Sequence, residues 1–533
     1  MNTTQFKNHK TQLARRLCVK RWFDHHSVRG LRSVQWILIV LTSTGCISSE
    51  GEWGILSMNN TPFQVQAVAG RMVRVGNQVS CLVIQGELKC SGEYTRYLMG
   101  TDWTDLASLD QPCDSSNSSG CIYQSYPSDQ SLLGKRVIEM EIGNNLSCAI
   151  YFKDDAQTSK GVACWGRTPD PVGAFGPNGA VGTPAIQMLP VEVPLPTDDE
   201  PIDLAVGESH ACVSTVNTSK TDYQVFCWGS NSHGQLGYLP TAGDNYRERP
   251  VRVSTTNASM TLGQIYQIEA GDHHSCLLGR MYSPYGGYVM SCWGSNEFGQ
   301  LGRADGETSS ACVSRCDPTP KPVVASANPV AVFIDVVEIA AGKDSTCLIF
   351  SSNLHPVCFG EGSYGKVGLL NGDLISATNT SACNFPTAQR ATCQPRPITL
   401  PGGAVIQKAY AISLGTTHGC VTRVDEDTNL HTLTCWGRND FRQLGTQDPL
   451  SACFLDNAST SHCSHEGIDT YVAASTSELI WKLDVGTDAQ CVLISGAPYC
   501  MGREQEGQLS TGDGYRDGIT GSFFRTTLTP FNY

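Results

Sequence analysis

Histidines recur in this chain at one fixed slot: His210, His274 and His418 each stand three residues after a glycine and two before a cysteine. An imidazole so near a thiol has the makings of a nucleophilic or metal-binding site. The slot comes round once per repeat, however, so the side chains belong to separate structural niches. His273, beside His274, reads as a loop residue. Cys312-Val-Ser-Arg-Cys316 is the one metal-like cysteine spacing, and it lacks a second ligand pair nearby. Gly360-Glu-Gly-Ser-Tyr-Gly365 matches the dinucleotide fingerprint in letters. It lacks the strand-to-helix context that the chemistry needs, and its glycines double as repeat anchors. Asp198-Asp-Glu200 and Asp425-Glu-Asp427 are acidic, without the spacing of a calcium loop. Neither a Gly-x-Ser-x-Gly elbow nor a His-Glu-x-x-His helix is present. We therefore expect no catalysis, no metal and no cofactor.

What positions these residues is a sevenfold repeat. Its anchors are Gly76, Gly143, Gly207, Gly271, Gly342, Gly415 and Gly486, and a cysteine follows each at the same distance: Cys81, Cys148, Cys212, Cys276, Cys347, Cys420 and Cys491. A second cysteine arrives in a Cys-x-Gly step at Cys90, Cys164, Cys227, Cys292, Cys358, Cys435 and Cys500. Trp165, Trp228, Trp293 and Trp436 fill the middle position in four copies, with Phe359 and Met501 in two others. One such tryptophan could stack on a ligand; recurring in unit after unit, it packs between units instead. Repetition at this period has to be settled before any other feature.

Apolar residues one and three before each anchor, such as Leu204 and Val206 or Leu483 and Val485, give the period-two pattern of a strand. In Cys81 to Cys90 a two-residue Gln85-Gly86 turn pairs the two cysteines across a hairpin. Cys491 to Cys500 counts the same way around Ser495-Gly496. Opposed in this way, the Cα atoms come within disulfide range. The remaining units have longer hairpin loops but keep the cysteine positions. This assigns the bridges Cys81–Cys90, Cys148–Cys164, Cys212–Cys227, Cys276–Cys292, Cys347–Cys358, Cys420–Cys435 and Cys491–Cys500. Four near neighbours remain, Cys113–Cys121, Cys312–Cys316, Cys383–Cys393 and Cys453–Cys463, each stapling a loop between units.

Pro62-Phe-Gln-Val65, Pro190-Val-Glu-Val193, Pro250-Val-Arg-Val253, Pro322-Val-Val-Ala325 and Pro397-Ile-Thr-Leu400 read as proline-led edge strands. Each unit thus supplies four antiparallel strands. The expected fold is all-β: a seven-bladed β-propeller of four-stranded antiparallel blades, disulfide-bridged, over residues 61–533.

The first 46 residues hold eight Lys and Arg against one Asp, which leaves the rest of the chain at a formal charge of −20. Such a balance opposes binding to a phosphate backbone, so no nucleic-acid partner is expected. A basic start, a short apolar core from Val34 to Leu41 and small residues before Cys46 follow export-signal grammar, and the segment is too short to span a membrane. The ending resembles the lipobox of bacterial lipoproteins, which implies acylation at Cys46. Ser43 departs from that pattern, leaving plain cleavage or a retained anchor as alternatives. Residues 47–60 read as a flexible tether. The even set of 22 cysteines after the leader is independent support for an oxidising compartment. The asparagine sequons at 117, 145, 217, 257, 379 and 457 would be informative only in a eukaryotic secreted chain.

The signature Gly-x-x-His-x-Cys, Cys-Trp-Gly-Ser-Asn and Gly-Gln-Leu-Gly resembles the repeats of the regulator of chromosome condensation family. It is best kept around His210 to Gly237 and His274 to Gly302. Weaker steps stand at Gly365-Lys-Val-Gly368, Arg442-Gln-Leu-Gly445 and Gly507-Gln-Leu-Ser510, and the first two copies lose the step. The resemblance implies a seven-bladed propeller, with an N-terminal outer strand completing the last blade. Pro62 to Val65 is the expected strand, with Phe524 to Pro530 as competitor. It also implies that the stapled loops lie on one face and the hairpin tips on the other. The function expected is a non-catalytic exported or cell-envelope scaffold, monomeric, that binds another protein or surface macromolecule through its stapled face. Two alternatives stand beside it: a GTPase regulator of the guanine-nucleotide exchange kind, and a propeller enzyme acting on extracellular glycans.

Overall fold

A computed structural model describes residues 71–76, 79–84, 86–92, 135–167, 186–195, 199–241, 245–257, 260–283, 286–303, 312, 315–323, 335–368, 391–446, 462–503, 515–516 and 523–530. The leader with Cys46, the tether, Pro62 to Val65, and Cys113, Cys121, Cys383 and Cys453 lie outside the described residues. The chain divides into Met1–Trp53 and Gly54–Tyr533, and everything described belongs to the second unit.

The fold is an all-β propeller of antiparallel blades. The third repeat shows the plan: an inner strand Asp199–Val206, then His210–Asn217, Tyr223–Ser230 and an outer strand Tyr246–Arg252, hydrogen-bonded in that order. Six such sheets carry four strands or more. The sheet of the first repeat has three described strands, Arg71–Val75, Val79–Ile84 and Glu87–Gly92. Where the repeat count led us to expect seven four-stranded blades, six are seen. Most of the stretch between Gly92 and the second inner strand is outside the described residues.

Apolar clusters sit between consecutive sheets rather than within them. Trp228 packs with Leu146, Ile150 and Leu204, and Trp293 with Val225, Leu236 and Ile268. Val73, Val75 and Leu82 of the first repeat pack with Ala489, Cys491 and Leu493 of the last. The anchor glycines meet in the same order. A methyl on Gly143, Gly207, Gly271, Gly342, Gly415 or Gly486 would collide with the carbonyl oxygen of the next anchor, the last of them with that of Gly76. That close approach explains why the repeat spends a glycine there.

The Cys-x-Gly step has its own cause. Against the outer strand the register slips between Cys227 and Gly229, and at the matching place in the other five four-stranded blades. The bulge glycine takes a positive φ, 96° at Gly229 and 109° at Gly360. A side chain there would be strained and would also strike the backbone at Ser209 and His210.

Two expectations about outer strands are corrected. The outer strands Ile186–Glu192, Tyr246–Arg252, Cys316–Pro322 and Ala391–Pro397 run up to or through their prolines instead of starting at them. A proline cannot donate to a ladder, and on an outer edge the missing donor costs nothing, so it sits as well near the strand's end as at its start. The strand that pairs with Ala497–Arg503 in the last blade is Phe523–Pro530, the competitor, where Pro62 to Val65 was expected. Nineteen residues separate Arg503 from Phe523, enough for the chain to return as the blade's own fourth strand.

Candidate interaction face

Seven cross-strand bridges join the two middle strands of the sheets, with Cα separations of 4.0 to 4.1 Å. Each pair is directly opposed in the hairpin register, as at Cys212 and Cys227. All fourteen cysteines are 0–1% exposed. Cys312–Cys316 is also bridged and closes onto the start of an outer strand, which removes those thiols from metal binding. Cys393 and Cys463 are disulfide-bonded too, both on outer strands. So many bridges suit an oxidising, extracytoplasmic environment.

The repeated histidines stitch neighbouring blades. His210 Nε2 lies 2.9 Å from Ser275 Oγ, and that hydroxyl donates to the Gln235 carbonyl. Its single hydrogen is thereby used, so the imidazole donates and is the Nε2–H tautomer. His274 meets Thr346 in the same way at 2.9 Å, and His418 meets Gln490 at 3.0 Å. Burial pushes the pKa of His210 and His274 down to about 3 and that of His418 to about 4, so all three are neutral. The Nδ1 atoms have no hydrogen-bond partner. At His210 and His274 this edge of the ring lies against the anchor glycine. Trp293 and Trp436 add a second stitch, donating from Nε1 to the carbonyls of Gln235 and Lys366 in the preceding blade.

The turns after the anchors and the loops after Cys-x-Gly emerge on one face. There the loops are held from inside: Asn231 Oδ1 accepts the Leu236 N–H and Asn231 Nδ2 donates to the Tyr238 carbonyl. Asn296 and Asn439 repeat the pattern. The same loop slot in four successive blades is occupied by His233, Phe298, Tyr364 and Phe441, all part-exposed, the Tyr364 loop carrying Gly362 in place of the clamping asparagine. His233 stacks on His273 of the next blade at 4.4 Å, and His273 lies 3.4 Å from Glu208. Burial and His273 lower the pKa of His233 to about 4. Asp272 accepts from Asn144 Nδ2 at 3.2 Å, and burial with Glu208 nearby pushes its pKa up to about 7.

Further round, aromatic rings and arginines alternate. The Arg438 guanidinium lies 5.2 Å from the centroid of Tyr364 and 5.4 Å from that of Phe441, and Arg503 lies 5.3 Å from Phe441. Asp488 sits between the two arginines, 3.6 Å from Arg438 and 3.5 Å from Arg503. Arg438 Nε also pairs with Asp440 at 2.5 Å, so the arrangement is a preformed ladder of flat apolar faces and ion-paired arginines, of the kind enriched at protein interfaces. Our reading of the sequence missed it. Aligning the loop slot across repeats would have exposed the aromatic series, but the arginines come from the next blade and only the fold brings them in.

Gly360 to Gly365 ends a strand, Pro356–Glu361, and runs into a single 3₁₀ turn, Ser363–Gly365. No helix N-terminus is there to cradle a pyrophosphate. Among the described residues no cluster of His, Cys, Asp and Glu is arranged to hold a metal ion, and no helix is long and apolar enough to cross a membrane.

Residues 222–278 and 292–349 match the regulator of chromosome condensation (RCC1) repeat. These two stretches are similar to RCC1 repeats. They contain His274, both Cys276 and Cys292, and the Asn231 and Asn296 clamps described above. Among known relatives, the human "Probable E3 ubiquitin-protein ligase HERC3" is 32% identical over 149 residues, 28% of this chain. The human "Probable E3 ubiquitin-protein ligase HERC6" is 30% identical over 141 residues, 26% of this chain. In both cases the match spans only 12% of the relative's length. Among solved structures, human WBSCR16 is similar with a TM-score of 0.51 at 16% identity, over 77% of this chain and 85% of that one. Prp20p from Saccharomyces cerevisiae, studied for binding to Gsp1p and histones, has a TM-score of 0.50 at 17% identity, over 78% of this chain and 80% of its own. These likenesses show the RCC1-type propeller fold.

Proposed function

We propose that this chain is an exported, non-catalytic RCC1-type propeller that binds another protein through the face carrying the Tyr364–Arg438–Phe441–Arg503 ladder. The ladder is the observation that carries the reading. Its side chains are held before any partner arrives, so little entropy is lost on binding. Cys312–Cys316 and the cysteines at 393 and 463 close loops bordering the same face, which limits its motion further. The sheet of the first repeat is the seventh blade in this reading. Acylation at Cys46 would tether the monomeric ring to an envelope, its partner being a neighbouring surface or secreted protein. A nucleotide-exchange role in reducing cytosol is disfavoured by fourteen bridged cysteines in the blades. A glycan-cleaving role would need paired carboxylates at one mouth of the ring.

The test is photo-crosslinking from positions 364 and 441 in cells that express the full reading frame, with position 282 on the opposite hairpin face as comparison. The reading predicts one partner band at 364 and 441 that disappears in Arg438→Ala. A band at 282 alone would move the binding face, and cytosolic protein with free thiols would end the export reading.

A further inference from the structure

Around the central opening each inner strand has an edge, and edge N–H groups need acceptors. Here the preceding blade supplies them from side chains. Asp203 Oδ2 accepts the Ile268 N–H at 2.6 Å, Gln267 Oε1 the Ile339 N–H at 3.1 Å, and Ser413 Oγ the Val485 N–H at 3.0 Å. Asp484 accepts the Val75 N–H, which joins the last repeat to the first. Arg74 then grips Glu141 of the second repeat, Nε to Oε1 at 2.7 Å. The ring is thus sewn by side chains placed two or four residues before the anchors.

The seam is unbalanced in charge. The first inner strand contributes Arg74, and Val137–Ile142 contributes Glu139 and Glu141. Asp203 comes from the third, Glu269 from Met260–Ala270 and Glu338 from Val336–Ala341. Ala409–Leu414 brings no charge, and Ile480–Val485 brings Lys482 and Asp484. Asp199 and Glu200 open the third strand at its far end, where Glu200 pairs with Lys160 at 2.7 Å. Six carboxyl groups therefore share the seam with two cations, all part-buried. Burial and the like charge of Asp203 push the Glu139 carboxyl well above its usual range.

We propose that the inner seam is a proton-operated clasp: with its surplus carboxyls protonated the ring of inner strands is drawn tight, and when they ionise their repulsion loosens it. Burial supports this, raising the pKa of Glu338 to about 8, and burial with like charge raises that of Asp203 and Asp484 to about 7, with Glu139 and Glu269 also raised. An acid whose pKa is higher folded than unfolded binds more protons in the folded state. Its stabilisation is complete below the unfolded value near 4 and is lost as pH rises through 7 to 8. Opening the seam would change the width of the central passage in step with compartment pH.

The experiment compares thermal unfolding of the full-length protein with Glu139→Gln and Glu338→Gln at pH 5 and pH 8.5, with Glu200→Gln as the control on the same wall. Taking differences from wild type at each pH cancels the contribution of the buried histidines. The expected result is a midpoint raised by about 2 °C or more at pH 8.5, little change at pH 5, and no pH-dependent change in the control. Amide exchange, corrected for intrinsic rate, should accelerate at Ile268 and Val75 between the two pH values in wild type and less so in the variants. Equal shifts at both pH values, or none at pH 8.5 with unchanged exchange, would overturn the clasp.

Discussion

Lys366 Nζ lies 2.6 Å from Glu361 Oε2, with the lysine almost wholly buried, at the loop position where three other blades carry Gln235, Gln300 and Gln443. In those blades the glutamine Oε1 accepts the backbone N–H two residues earlier, as Gln300 does from Phe298 at 2.9 Å. A lysine cannot accept. Glu361 takes over the loop, accepting the Ser363 N–H at 2.7 Å, while Lys366 donates to the Thr416 carbonyl of the next blade. Two changes in one loop have exchanged a neutral clamp for an ionic one.

That exchange predicts strong coupling. Glu361→Ala leaves an ammonium buried without its counter-charge and should cost about 3–5 kcal/mol. The double variant K366Q/E361S restores the arrangement in which Gln300 Nε2 donates to Ser295 Oγ at 3.2 Å, and should recover most of the loss. Denaturant melts of both single variants and the double one measure the coupling; additive losses would contradict the exchange. The Glu361 carboxyl is held below its usual range chiefly by Lys366 against the opposing effect of burial. Its stabilisation is therefore present above the unfolded value and lost as pH falls through the depressed folded one.

Acid should also act through the histidines. His210, His274 and His418 are buried neutral, with pKa values pushed to about 3, 3 and 4. Groups depressed on folding stabilise fully above the unfolded value near 6.5 and lose that contribution as pH falls toward 4. At pH 5 each should cost about 2 kcal/mol relative to pH 8. His418→Gln, which keeps a donor toward Gln490 without a titrating ring, should be less stable than wild type at pH 8 and lose less on going to pH 5. Parallel losses would show that the imidazoles are not the groups responsible.

The blade bridges should behave as one class. Their sulfurs are shielded, so a thiol reagent reaches them only when a blade opens. Alkylation and mass mapping of native protein under mild reductant should label Cys312 before any of the fourteen blade cysteines, since Cys312 is part-exposed. Replacing both Cys420 and Cys435 by Ala removes a bridge closing a 15-residue separation, at a cost of about 3 kcal/mol in the chain-entropy account.

How much of this could be read in the residues alone depends on whether a feature is local. The anchor glycines and the opposed cysteine pairs are set by short-range counting, so Cys81 and Cys90 could be placed without a structure. The tryptophans were assigned to the spaces between blades because they recur, and Trp228 and Trp293 lie there. The outer strands were misplaced because the bulge within each Cys-x-Gly step shifts their register, and the glycine that permits it does not fix where the outer strand begins. Phe523–Pro530 and Pro62 to Val65 are both plausible edge strands, and the choice between them depends on distant chain geometry. The seam carboxyls escaped for another reason. Attention to the apolar residues one and three before each anchor passed over Glu139, Asp203 and Glu269, which alternate with them.

The stitching between blades gives the last prediction. Trp293 Nε1 and Ser275 Oγ both donate to the Gln235 carbonyl, at 2.9 and 3.1 Å, and Ser275 also receives His210. A carbonyl that accepts twice in a dry interface leaves little to lose when one donor goes, because the other keeps it satisfied. Trp293→Phe should therefore cost about 1–2 kcal/mol, mostly from lost packing. Ser275→Ala strands the His210 Nε2–H with no acceptor and should cost about 1–3 kcal/mol although it removes fewer atoms. Equilibrium unfolding of the two variants separates these effects. If the smaller deletion proves harmless, His210 has found another acceptor, and the serine is not the link between the third and fourth blades.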